Sequence, residues 1–207
     1  MAPMKLLVCA AALALLAGCG GGSSTIKTGG GPPPMGSNVV AVTVDGGPAG
    51  LTVPTTDVLF TTVTVCAHGS TTNCQTIDHV QVDTGSVGLR ILASALGSLK
   101  LTPVNGGTGT TPLAECYVFA DGFIWGPVET ADVQIGGESA SNIEVQVVGD
   151  PNYPESGVPS DCSSQGGGMS FDTLDTLAAN GIIGLGTLAQ DCGPGCTSGT
   201  QTGWYYS

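Results

Sequence analysis

The sequence predicts an all-β protein, a single incomplete lobe with short helices that is stapled by disulfides. Three observations predict it. Thr, Val, Gly and Ser dominate the 207 residues, with 34 Gly and 13 Pro and only 10% charged residues, a balance that favours strands and turns over helices. Short β-branched runs alternate with polar residues between Gly-rich turns. Eight cysteines occur, seven of them after an apolar leader, as suits a chain exported to an oxidising compartment.

The elements follow in order. Val39, Val40, Val42 and Val44 precede an Asp-Gly-Gly-Pro turn. Val58, Phe60, Val63 and Val65 lead into a Gly-Ser-Thr-Thr turn bracketed by Cys66 and Cys74, and Ile77, Val80 and Val82 form the return strand, with His79 a strand residue. A short helix is expected after Val87, through Leu89, Ile91 and Leu92. Val133 and Ile135 alternate up to Gly136-Gly137, and Ile143, Val145 and Val147 alternate away from it, the signature of a hairpin. The clearest helical stretch is residues 171–179, with Leu174, Leu177 and Ala178 on one face.

The first eighteen residues read as a signal peptide. Lys5 supplies a positive start and the apolar run over residues 6–16 is too short to span a bilayer. Leu16-Ala17-Gly18-Cys19 resembles the lipobox of bacterial lipoproteins, which implies cleavage before Cys19, lipid on that residue and anchoring to the cell envelope; an ordinary secretory peptide is the alternative. Residues 19–37, rich in Gly, Ser and Pro, form a tether, and residues 38–207 form the folded body.

Charge narrows the partners. Sixteen acidic against four basic residues give a formal charge of -12, which excludes a nucleic-acid surface because phosphate binding needs clustered Lys and Arg. Setting aside Cys9 and Cys19 leaves Cys66, Cys74, Cys116, Cys162, Cys192 and Cys196. Local spacing favours the pairs Cys66–Cys74 and Cys192–Cys196, leaving Cys116–Cys162. A zinc reading of Cys66, His68, Cys74 and His79 competes, but that spacing fits no tight ligand pattern. Gly166-Gly167-Gly168 lacks the features of a phosphate loop, and neither a metal nor a cofactor is expected.

The candidate chemistry sits at Asp83. Val82-Asp83-Thr84-Gly85-Ser86 places a carboxylate where a strand meets a glycine turn, flanked by hydroxyls able to donate to its charged form. An ordinary Asx-type turn is the plain alternative. The wider pattern resembles the N-terminal lobe of pepsin-like aspartic proteases in three places and in order. Residues 59–65 and 77–82 followed by Asp83-Thr84-Gly85-Ser86 are similar to the first hairpin and catalytic loop. Tyr117-Val118-Phe119-Ala120-Asp121-Gly122, then Gly126 and residues 132–137, are similar to the flap and the hairpin after it. Asn180-Gly181-Ile182-Ile183-Gly184-Leu185-Gly186 looks like the segment that threads the catalytic loop. The chain also resembles an uncharacterised group of secreted bacterial lipoproteins with Cys-rich, pepsin-like halves.

The resemblance implies roles. Asp83 would be one of two carboxylates sharing a proton and activating water, because like charges held close cannot both ionise. Ser86 would hydrogen-bond the outer oxygen of Asp83, Thr84 would hold two catalytic loops together, and the Gly85 backbone would touch substrate. Phe119, Ala120 and Asp121 would close over a peptide at the flap tip. Two positions depart from the family pattern: Phe119 stands where Tyr is usual, with Tyr117 two residues earlier, and Arg90 stands where Trp is usual. Arg90 has two readings, a surface ion pair and a functional role. Trp125 is expected near the flap, and Glu129, Glu138, Glu144 and Glu155 on solvated faces.

One Asp-Thr-Gly occurs in the sequence, so the second carboxylate would come from a second lobe of a longer protein or from a second copy of the chain. The expected function is half of an envelope-anchored aspartic peptidase acting on peptide or protein, inactive as this chain alone. A non-catalytic envelope protein that binds or adheres through the same fold is the alternative.

Overall fold

The computed structural model describes residues 38–106, 109–188 and 205–206. Its strands form where the alternation is strongest. Strand β2 (Leu59–Ala67) turns Phe60, Val63 and Val65 into buried positions and pairs antiparallel with β3 (Cys74–Asp83). One extra residue in β3 shifts the register between Thr61 and Val63, and His79 takes the left-handed conformation there (φ 48°). Cys66 and Cys74 face each other across the ladder and are disulfide-bonded.

Before β2 lies β1 (Thr43–Val44), a two-residue edge strand. Only this end of the expected valine strand forms, and Val39, Val42 and Val44 remain exposed because only β2 pairs with it. After β3 come β4 (Val87–Leu92), α1 (Ala93–Leu96), β5 (Thr102–Pro103), β6 (Ala114–Val118), β7 (Phe123–Ile135) and β8 (Glu138–Val148). Further along are α2 (Ser160–Ser163), α3 (Leu174–Leu177), β9 (Gly181–Leu185) and β10 (Tyr205–Tyr206).

The helix expected after Val87 is instead β4. Val87, Leu89 and Ile91 repeat every second residue, and β4 satisfies its backbone in ladders with both β8 and β9; the helical turn begins only at Ala93. The helix over 171–179 contracts to the single turn of α3. Thr173 caps it with a reciprocal hydrogen-bonded box, and Ala178 ends it in the left-handed conformation (φ 56°). The hairpin at Gly136-Gly137 forms as expected between β7 and β8.

Six strands close into a barrel in the order β2-β3-β9-β4-β8-β7, with β7 returning to pair with β2 from Thr64↔Gln134 to Ala67↔Ala131. Val63, Val65, Ile77, Val80, Leu89, Ile91, Ala131, Val133, Val145 and Val147 pack as one cluster, with Ile183 of β9 against it, so all six strands contribute to the interior. Strand residues of opposite parity, Phe60, Leu92, Ile124, Val148 and Ile182, form a second layer together with Leu177 and Ala179 from around α3. The long β7 serves both parts, pairing with β6 through its first half and with β8 and β2 through its second. A third cluster surrounds the disulfide Cys116–Cys162 and includes Phe123 and Trp125. Both described disulfides match the expected pairs; Cys192 and Cys196 lie outside the described residues, as do Cys19, the leader and the tether.

Candidate active site

Asp83 ends β3. There the chain leaves the barrel through Thr84 and Gly85 and returns as β4, and β9 runs between the two strands, parallel to β3 (Val82↔Ile183, Asp83↔Gly184) and antiparallel to β4 (Gly88↔Gly184). The Ile182-Ile183 segment therefore lies against the strands that carry the Asp83 loop, as the sequence led one to expect. Gly184 permits this crossing. A Cβ at that position would lie 2.4 Å from the Ser86 carbonyl carbon and 2.4 Å from the Val87 nitrogen. The Gly186 N–H donates to the Ser86 carbonyl at 2.8 Å, closing the loop on its far side.

Within the loop, the Gly85 N–H donates to Asp83 Oδ1 at 2.8 Å. Asp83 is half-buried, whereas Thr84 and Gly85 are exposed. Ser86 is buried and its Oγ has no hydrogen-bond partner, so the expected bond from Ser86 to Asp83 is not formed.

The β6–β7 hairpin brings the other expected residues close. Its tip is a tight turn in which the Phe119 N–H donates to the Gly122 carbonyl at 2.8 Å. Phe119 and Asp121 line a groove of about 280 Å³ together with Asp83, Phe171, Leu177 and Ile182. Ala120 is exposed on the tip and, like Thr84, Gly85 and Ser86, is not part of that lining. Gln81 and Thr176 complete the lining, so the groove joins two carboxylates to a wall that is polar and apolar in equal measure, an arrangement able to take a peptide side chain beside a polar centre.

The hairpin tip is supported from behind. Phe123 donates its N–H to Met169 O at 2.8 Å and accepts at its carbonyl from Phe171 N–H at 2.9 Å, and the Phe119 and Phe171 rings lie 6.2 Å apart. The Gly166-Gly167-Gly168 turn packs against the tip. At Gly166 (φ 57°) a Cβ would fall 2.2 Å from the Gly122 carbonyl oxygen. Gly166 alone of this run, featureless in the sequence, backs the tip.

Arg90 is not on the surface. It is 1% exposed, beneath β6. Its Nη1 donates to Val87 O at 2.6 Å, its Nη2 donates to Glu115 Oε1 at 3.2 Å, and its guanidinium carbon lies 3.7 Å from the Tyr117 ring centroid. The surface reading fails because β6 crosses this face of the barrel and covers it.

Metal binding finds no support at the expected cysteines. Cys66 and Cys74 are joined to each other, the His68 ring hydrogen-bonds Asp132 at 2.8 Å, and among the described residues no cluster of three His, Cys, Asp or Glu side chains is arranged to hold a metal. No helix of the described residues is long and apolar enough to cross a membrane.

A family model described as "Protein of unknown function (DUF3443)" matches residues 34–207. The chain belongs to the DUF3443 family. Among curated proteins, none matches it.

Several residues of the DUF3443 fold carry weight that the sequence did not announce. Glu115 is 3% exposed and Gln146, 2% exposed, donates from Nε2 to the Glu115 carbonyl at 2.8 Å. Their one signal is a polar residue inside an apolar alternation, which a solvent-facing strand shows equally. Trp125 does pack in the hairpin, edge-on to Tyr206 with centroids 5.5 Å apart. Glu138, Glu144 and Glu155 are exposed as expected, but Glu129 is half-buried in the wall of a second cavity of about 440 Å³ with Lys100 and Asp150. Burial raises the Glu129 pKa first and Asp150 raises it further, while Lys100 opposes both.

Asp132 shows the opposite shift. Its carboxylate accepts hydrogen bonds from His68, the Asn142 N–H and the Gly69 N–H, which lower its pKa from 3.8 to about 2. A carboxylate depressed in the folded state contributes stability that is complete above the unfolded value and disappears as pH falls through the folded one. Asp132→Asn is therefore expected to lower the melting temperature at neutral pH, with the gap to wild type narrowing from pH 3.8 down to about 2. A thermal melt series across that range checks it, and a gap constant with pH would refute it.

Proposed function

We propose that this protein is half of an aspartic-peptidase-like hydrolytic site held at the bacterial cell envelope by a lipid on Cys19. Asp83 is one of two carboxylates that share a proton. In the ionised state it takes a proton from water as that water attacks a peptide carbonyl, while the partner acid, still protonated, donates to the carbonyl oxygen. The second carboxylate comes from another lobe or from a second copy, because the sequence carries one Asp-Thr-Gly. Supporting this reading is one observation above all: Asp83 sits on a loop braced by β9 and faces a groove roofed by Phe119 and Asp121. A pepsin-like lobe has the same three parts in the same chain order.

The half-built character of the loop favours a second reading. The Ser86 hydroxyl leaves Asp83 without its expected neighbour, which suits a binding or adhesion module that keeps the fold without the chemistry.

The deciding experiment uses the full-length gene product and an unfolded protein substrate at acid pH. Cleavage is expected from the wild type, and Asp83→Asn is expected to abolish it with the melting temperature unchanged. The 207-residue chain as a monomer is expected to be inactive. Cleavage that survives Asp83→Asn would refute the peptidase reading, and a full-length wild type without activity would favour the binding module.

A further inference from the structure

We infer that Arg90 is a positioning residue: its guanidinium sets the β6–β7 hairpin in register with the Asp83 loop, and its consequence for catalysis rests on the peptidase reading. A buried arginine is rare unless its charge is paired and its donors are used. Here those contacts run in two directions. Toward the loop, Nη1 donates to the carbonyl of Val87, the residue directly after Ser86. Toward the hairpin, Nη2 donates to Glu115 and the guanidinium plane lies over Tyr117. Gln146, the register partner of Arg90 on β8, holds the same Glu115 by its main-chain carbonyl.

The row matters because side chains two apart on a strand share a face. Glu115 and Tyr117 are gripped by Arg90, and Phe119, just beyond the end of β6, touches the Tyr117 ring at a centroid distance of 4.9 Å before lining the groove with Asp83. One side chain thus connects the exit of the Asp83 loop to the residue that roofs it. A slide of β6 along β4 would break the ion pair and the ring contact together, so the hairpin tip has one preferred position above the carboxylate. An apolar residue at position 90 would fill the space and leave that position unspecified.

Amide hydrogen exchange on the folded chain tests this without any need for catalysis. Because Arg90→Met alone strands a buried carboxylate, the principal variant is the charge-neutral pair Arg90→Met with Glu115→Gln, and Tyr117→Leu serves as an independent second variant. Both are expected to speed exchange of the Phe119–Gly122 turn by about tenfold, the loss of one charge-assisted contact, while β2–β3 amides keep their rates. Combining the two changes should give less than the product of their effects, since both act on one contact set. Unchanged exchange at the tip, or acceleration spread evenly over the barrel, would overturn the assignment to Arg90. Loss of the peptidase reading in the Asp83→Asn experiment would leave the exchange result untouched, so the two failures are separable.

Discussion

Gly184→Ala is expected to destabilise the protein by about 3 kcal/mol or more, because the added methyl meets backbone rather than a movable side chain. The Cβ would lie within 2.5 Å of Val87 Cα and 2.4 Å of the Ser86 carbonyl carbon, and both belong to the return from the Asp83 loop. Relief requires β9 to move away from β4, and β9 is held on its other side by four register pairs with β3. The strain would therefore be absorbed at the loop itself. Gly157→Ala is the matched control: nothing lies within 4 Å of its Cβ position, and its stability should change by less than about 0.5 kcal/mol. Urea denaturation of the two variants measures the difference. A loss below about 1 kcal/mol for Gly184→Ala would mean that β9 is not tightly threaded.

Removal of the Cys116–Cys162 disulfide is expected to have the second large effect. It closes 46 residues of chain, and loop-closure entropy puts its contribution at about 4 kcal/mol, against about 2.5 kcal/mol for Cys66–Cys74, which closes only 8. The longer bridge also carries position. Cys116 lies on β6 beside Glu115, and Cys162 begins the segment whose Gly166, Met169 and Phe171 support the hairpin tip. Cys116→Ala with Cys162→Ala should thus lower the denaturation midpoint more than Cys66→Ala with Cys74→Ala, and it alone should expose the tip to protease. Equal midpoints, or the reverse order, would refute the account.

Local patterns were readable where neighbouring residues settle the outcome. The β2–β3 and β7–β8 hairpins follow from alternation and turn glycines, and cysteine spacing pointed to both described bridges. Misreadings arose where a distant strand decides. Leu89, Ile91 and Leu92 suit a helix as well as a strand, and only the ladders with β8 and β9 select the strand. Arg90 reads equally as a surface ion pair or a functional residue until β6, 25 residues later, is laid across it with Glu115. Ser86 reads as a donor to Asp83, yet its hydroxyl is buried without a hydrogen-bond partner.

The amino-acid sequence alone determined the all-β class, the Cys66–Cys74 pair and the place of a carboxylate at a strand end, since each depends on periodicity or on contacts short in sequence. Tertiary structure decided which side chains meet that carboxylate. Phe119 and Asp121 face Asp83, and Arg90 is buried under Glu115 and Tyr117, because barrel closure brings together strands that no local rule pairs. Burial then converts an unremarkable arginine into the contact that aligns hairpin with loop, since a charge removed from water must be paired where it lies.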